Sequence, residues 1–168
     1  MTRITIILTE QHLAYCEKLA LARYQSAVRN ARHGTNGAPD SGPVAEKIHR
    51  QGVFGECAAY LWLSPIKWHT YQEHGLTNLP DLADFIDVKT VGNSRHRLIV
   101  QKECPDAWAY LLVNAENHPR YAIEGWLWGY EAKVPKYLTD PVGGREAYFV
   151  PTRDLRPPEK LKEHYDAR

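Results

Sequence analysis

The sequence predicts an α+β fold, with N-terminal helices followed by a mixed, mostly antiparallel sheet. Two observations carry this. Apolar residues recur at helical spacing over the first third of the chain, and from residue 85 the spacing changes to two. The later segments are also short, aromatic or β-branched, and bounded by turn residues.

The elements follow in order. Ile4, Ile6, Ile7 and Leu8 form an apolar patch too short for the core of a signal peptide. Thr9 then stands as a helix cap before Glu10 and Gln11. Leu13, Cys16, Ala20, Ala27 and Ala31 recur at helical spacing, which predicts a helix over about 10–32, ended by Gly34. Arg23, Arg29 and Arg32 lie largely off its apolar stripe. Residues 34–46 are rich in Gly, Pro, Asn and Ser and read as a flexible loop, not a domain boundary, since nothing before them folds alone. Helical spacing resumes through Ile48, Phe54, Cys57, Ala58 and Leu61. Gly52 and Gly55 weaken its first half, so the helix is firm only over about 55–63, and Ser64-Pro65 stops it. "FIDVKTV", "HRLIVQK", "AWAYLLVNA", "YAIEGWLWG" and "EAYFVP" then read as strands. Residues 157–168 are a polar tail with room for one helical turn.

At 168 residues the chain suits a single domain, 1–168, with a real core; apolar content of 43% and charged content of 24% are ordinary for such a domain. A net charge of +1 points to no partner, so only local clustering of charge is informative. Cys16, Cys57 and Cys104 are odd in number and form no Cys-x-x-Cys pair. That argues against a disulfide framework or a thiolate zinc site and fits a reducing cytoplasm. No run approaches the length of a membrane span.

The chemistry concentrates in "PDLADFIDVKT". Alternation along a strand puts Phe85, Asp87 and Lys89 on one face, and Ile86, Val88 and Thr90 on the other. The second face is clean core; the first carries both charges. In isolation, Asp-x-Lys is an ordinary surface pair. Its neighbours change that weight. Asp81 lies six residues before Asp87, and Glu56 lies on the preceding helix. Three carboxylates meeting at one point would hold a hard divalent cation, with the lysine beside a metal-bound water. Asp84 is the alternative to Asp81. It is three residues from Asp87, an odd offset that places it on the opposite face of a continuous strand. Asp81 reaches Asp87 only if Leu82-Ala83-Asp84 folds back.

Pro80-Asp81, Asp87-Val88-Lys89 and a helical Glu56, in that order and followed by further strands, resemble the PD-(D/E)xK nuclease superfamily over roughly residues 50–115. The resemblance implies a restriction-endonuclease-like core and hydrolysis of DNA phosphodiester bonds with Mg2+, or Mn2+ as substitute. It further implies Asp81 and Asp87 as metal ligands, the Val88 backbone carbonyl as a third, and Glu56 bound to the metal directly or through water. Lys89 would orient or help deprotonate the attacking water, or stabilise charge on the phosphate. A looser resemblance links "YAIEGWLWGYEAK" and "EAYFVPTRDLRP" to small phage and prophage proteins. It carries the alternative of a non-catalytic protein that binds DNA or a host protein on the same fold, and a host cytoplasm as location.

DNA binding needs positive charge near the metal. Arg95, His96, Arg97 and Lys102 follow the acid-bearing strand, and Lys47, His49 and Arg50 precede Glu56. A homodimer would suit cleavage of both strands. Other candidates are weaker. His69 and His74 are five apart and share no helical face, against a zinc site. Trp126 and Trp128 point the same way; such a pair can stack bases, but reads first as sheet core or a subunit contact. Gly143-Gly144 reads as a hairpin turn. Cys57 has no histidine placed to activate it.

Overall fold

The computed structural model describes residues 4–30, 39–64, 67–70, 79–93, 95–141 and 143–167. Strand β1 (Ile4–Ile7) is followed by helix α1 (Glu10–Arg29). Thr9 caps α1 as its composition suggests: its side chain accepts from the His12 N–H, while the His12 ring accepts from the Thr9 N–H. Helix α2 spans Pro43–Leu63. Strands β2 (Ile86–Val91), β3 (Leu98–Gln101), β4 (Ala109–Asn117) and β5 (Arg120–Trp128) follow. The chain ends with the short helix α3 (Gly129–Ala132), β6 (Leu138–Thr139), β7 (Ala147–Val150) and helix α4 (Pro158–Asp166).

Two sheets form. The larger has the order β1-β5-β4-β2, with β2 parallel to β4 and the other pairs antiparallel. The smaller, β3-β7-β6, is antiparallel. Helices then a mixed, mostly antiparallel arrangement is the α+β class expected. Helix α2 covers one face of the larger sheet, with α1 packed against α2. Val53, Phe54, Ala58 and Leu63 of α2 meet Ile86, Val88, Leu111 and Ile123 there. On the opposite face Tyr110, Leu112 and Leu127 pack against Leu98, Val100 and Val150 of the smaller sheet.

Several expectations are corrected. Helix α1 stops at Arg29, with Asn30 as its cap. The expected loop at 34–46 ends earlier, at Gly42, because Pro43 opens α2 there and the Gly42 φ of 90° turns the chain into the helix. Arg32, Gly34, residues 35–38 and His74 lie outside the described residues. Gly52 and Gly55 sit inside one continuous helix instead of weakening its start. The polar tail is the helix α4. It buries Leu161 fully under Trp126 while its charged residues face solvent. Gly143 and Gly144, with φ of 77° and 80°, make the expected turn before β7. Among the described residues no helix is long and apolar enough to cross a membrane.

Candidate active site

Strand β2 is the last strand of the larger sheet, so one of its edges faces away from β4. The parallel ladder assigns its residues to alternate edges. The Phe85 carbonyl bonds the Ala109 N–H of β4, whereas Ile86 bonds Leu82 in both directions and the Thr90 carbonyl accepts from Gln51. Val88 therefore turns its N–H and its carbonyl to the outer edge. The N–H goes to Asp81 Oδ2 at 2.8 Å.

Asp81 arrives there because the chain folds back. Leu82 and Ile86 close a tight antiparallel pair around Ala83-Asp84-Phe85, and Ala83 takes a left-handed φ of 50° at the bend. Asp84 is an exposed turn residue. On β2 itself, Ile86 and Val88 enter the apolar cluster beneath α2. Asp87 and Lys89 point to the other face, where Lys89 Nζ lies 6.0 Å from the centre of the Tyr110 ring. Lys89 Nζ is 2.6 Å from Asp87 Oδ2. It lies off the hydrogen-bond direction, so that buried oxygen has a charge partner but no aligned donor among the described residues.

Glu56 is buried on α2, and both of its oxygens are engaged. Arg23 Nη1 reaches Oε1 at 2.6 Å, Arg23 Nη2 reaches Oε2 at 2.8 Å, and Trp68 Nε1 reaches Oε2 at 2.9 Å. Helix α2 comes close to β2 here because residue 55 is glycine: a Cβ at that position would lie 1.8 Å from Thr90 Oγ1. The sequence reading missed Arg23 and Trp68. Arg23 is seven residues after Cys16 and four before Ala27, so it lies on the buried stripe of α1 and not off it.

The electrostatics follow from this crowding. Burial pushes the Asp81 carboxyl well above its ordinary range; Glu56 and Asp87 push the same way, against Lys89 and the Val88 N–H. Burial opposes the Lys89 charge, but Asp87 and Asp81 outweigh it and hold the ammonium above its ordinary pKa. Lys89 keeps about a third of its side chain exposed, so solvent screens part of this attraction.

Among the described residues, no three of His, Cys, Asp and Glu stand together as a ready metal-ion group. The Asp81 carboxylate and the Val88 carbonyl lie at the outer edge of β2, and the Asp87 carboxylate, on the face away from α2, is near enough to act on the charge of Asp81. Their chemistry suits a hard divalent cation, and Asp87 Oδ2, held by the Lys89 charge alone, is an atom such an ion would complete. Glu56 fits less well, since both oxygens already serve Arg23.

The expected basic residues are scattered. Arg95, His96 and Arg97 are exposed in the turn after β2. There Asn93 accepts the Arg95 N–H, and its side-chain amide bonds the His96 ring. Lys102 pairs with Glu146, and Arg50 pairs with Glu17. Lys47 is exposed, and His49 lies against Tyr24. His69 ties the backbone together: its N–H donates to the Asp81 carbonyl, and its ring Nε2 bonds the Ala83 carbonyl. Trp126 is core, in edge-on contact with Trp128. Cys57 is buried against Cys16, and all three cysteines are free. A groove of about 850 Å³ lined by Thr5, Ile7, Asn114, Glu116, His118 and Arg120 contains none of Glu56, Asp81 and Asp87. Comparison with family models, curated proteins and solved structures returns no match.

Proposed function

We propose that the protein is a magnesium-dependent DNA nuclease that cuts phosphodiester bonds at the outer edge of β2. One observation carries the reading. The bend at Ala83-Asp84-Phe85 brings the Asp81 carboxylate onto the Val88 N–H, between the two residues of the Asp87–Lys89 pair in sequence and near enough for both to act on its charge. Hard oxygen donors and a cation close to one strand edge support this reading.

A bound magnesium ion supplies charge neutralisation at the phosphate and an activated water. Asp81, Asp87 and the Val88 carbonyl are the groups that would hold it. The Val88 N–H fixes the orientation of Asp81. Lys89, held charged by its carboxylate neighbours, supports negative charge on the phosphate and is a poor proton acceptor. Arg95 and Arg97, exposed just beyond the strand, are the phosphate contacts in this reading.

The test is incubation with supercoiled, linear and branched DNA in magnesium, manganese or EDTA. Cleavage is expected with either metal and none with EDTA. Lys89→Ala should lower cleavage by roughly 100-fold or more, the scale of a lost electrostatic stabiliser, with DNA retention intact. If no substrate is cut with either metal at micromolar protein, the enzyme reading is dropped. Retention of DNA without cleavage would then assign a binding module.

A further inference from the structure

Arg23 makes more contacts than a partner for Glu56 requires. Besides the two bonds to that carboxylate, its Nε donates to the Thr70 carbonyl at 3.0 Å and its Nη2 to the His69 carbonyl at 3.3 Å. Trp68, in the same segment, donates to Glu56 at 2.9 Å. The segment 67–70 is thus pinned to both helices. It is pinned on its other side as well. The His69 N–H reaches the Asp81 carbonyl at 2.9 Å, the Ala83 N–H reaches the Lys67 carbonyl at 2.8 Å, and Trp68 pairs with Leu82. A continuous path runs from α1 through Arg23 and Glu56 to residues 67–70, then to Asp81, and from its carboxylate to Val88.

We propose that Arg23 and Glu56 are positioning residues: they form a clamp that sets the place of Asp81 through residues 67–70, and Glu56 is not itself a metal ligand. Metal binding at Asp81 rests on the nuclease reading; the clamp does not. The bonds argue for this division of labour. A Glu56 that turned to a cation would leave a largely buried guanidinium without its bidentate partner and would release the Trp68 indole. A clamp needs those bonds kept, and a fixed Asp81 is what a metal site at the β2 edge requires.

The two roles predict opposite signs for one substitution. If Glu56 were a ligand held back by Arg23, Arg23→Gln would free it and magnesium would bind more tightly. If the pair is a clamp, Arg23→Gln and Glu56→Gln each weaken magnesium binding by roughly tenfold, as substitutions behind a metal ligand do, and the double variant adds little further. Calorimetry with magnesium on the full chain reads this. Amide hydrogen exchange reads the clamp independently of any metal. His69 and Ala83 should exchange at least ~10-fold faster in both variants, while Leu111 and Ile123 in the centre of the sheet stay protected. Protection at those two also shows that the variant has folded; Arg23→Lys, which keeps the charge and loses the fork, replaces Arg23→Gln if it has not. Tighter magnesium binding in Arg23→Gln, or unchanged exchange at His69 and Ala83, overturns the clamp. A wild-type chain that binds no divalent ion overturns the nuclease reading, and the exchange result still decides the clamp.

Discussion

Asp81 carries a carboxyl that burial, Glu56 and Asp87 all drive toward the protonated form. Its folded pKa therefore lies above its unfolded value of about 3.9. The native state binds the proton more tightly, so this stabilisation is complete below the unfolded pKa and is lost as pH rises through the folded one. Without divalent metal, the wild type should lose stability on leaving the acid range. Asp81→Asn should flatten that loss and be the more stable protein near neutrality, because an amide oxygen still accepts the Val88 N–H and carries no charge. Magnesium should recover stability in the wild type only. Urea midpoints against pH, with and without magnesium, measure both, and an equally steep loss in Asp81→Asn would show that another group titrates. The residues of this cluster were unequally legible in the sequence. Asp81, Asp87 and Lys89 stood out because two charges on a core strand demand an explanation. Arg23 did not, because arginine counts as a solvent residue until its seven-residue spacing from Cys16 is noticed. Trp68 lies in no periodic segment and left no signal.

Elements differ in the same way, and spacing explains which were readable. β2 alternates, β4 and β5 are long aromatic and β-branched runs bounded by turn residues, and α1 repeats over five turns. β1 has four residues, β6 has two, and α4 buries only Pro158 and Leu161 fully, which is too little to see without the partner it packs on. Helix α2 was read as weak at its two glycines, since propensity disfavours them. Tertiary packing reverses that at one of the two. A Cβ at Gly55 would stand 1.8, 2.6 and 2.7 Å from Thr90 Oγ1, Cγ2 and Cβ, so no rotation of Thr90 relieves it. Gly55→Ala gains about 1 kcal/mol of helix propensity, but separating α2 from β2 costs roughly 1–3 kcal/mol or more. The net effect should be destabilising, and Thr90→Ala should recover part of it in the double variant. Gly52, with open space around its Cβ position, should gain from the same substitution. A stabilising Gly55→Ala would mean that the helix stands farther from β2.

At the scale of the whole molecule, both faces of the larger sheet are covered, and the charged cluster sits at its β2 edge. Helix α4 completes the seal on the α2 face. Leu161 is fully buried there, the Pro157 carbonyl accepts the Trp126 indole N–H at 3.1 Å, and Trp126 and Arg156 exchange backbone bonds. A Cβ at Gly125 would lie 2.7 Å from the Arg156 carbonyl, so the chain leading into α4 is pressed against β5. His164 of α4 lies edge-on to Phe85, the last residue of the bend that carries Asp81 round to Val88. The closing helix therefore supports the site from behind as well as the core. Leu161→Ala should cost about 2–5 kcal/mol, the range for a buried leucine. The equally apolar Ile7, 57% exposed on β1, should change stability by no more than about 0.5 kcal/mol on replacement by threonine. Chemical denaturation separates the two. The support given to the bend adds a second expectation: Leu161→Ala should weaken magnesium binding more than Ile7→Thr does, even where both proteins are fully folded. Equal magnesium affinities in those two variants would show that the bend at Ala83-Asp84-Phe85 holds its shape without α4.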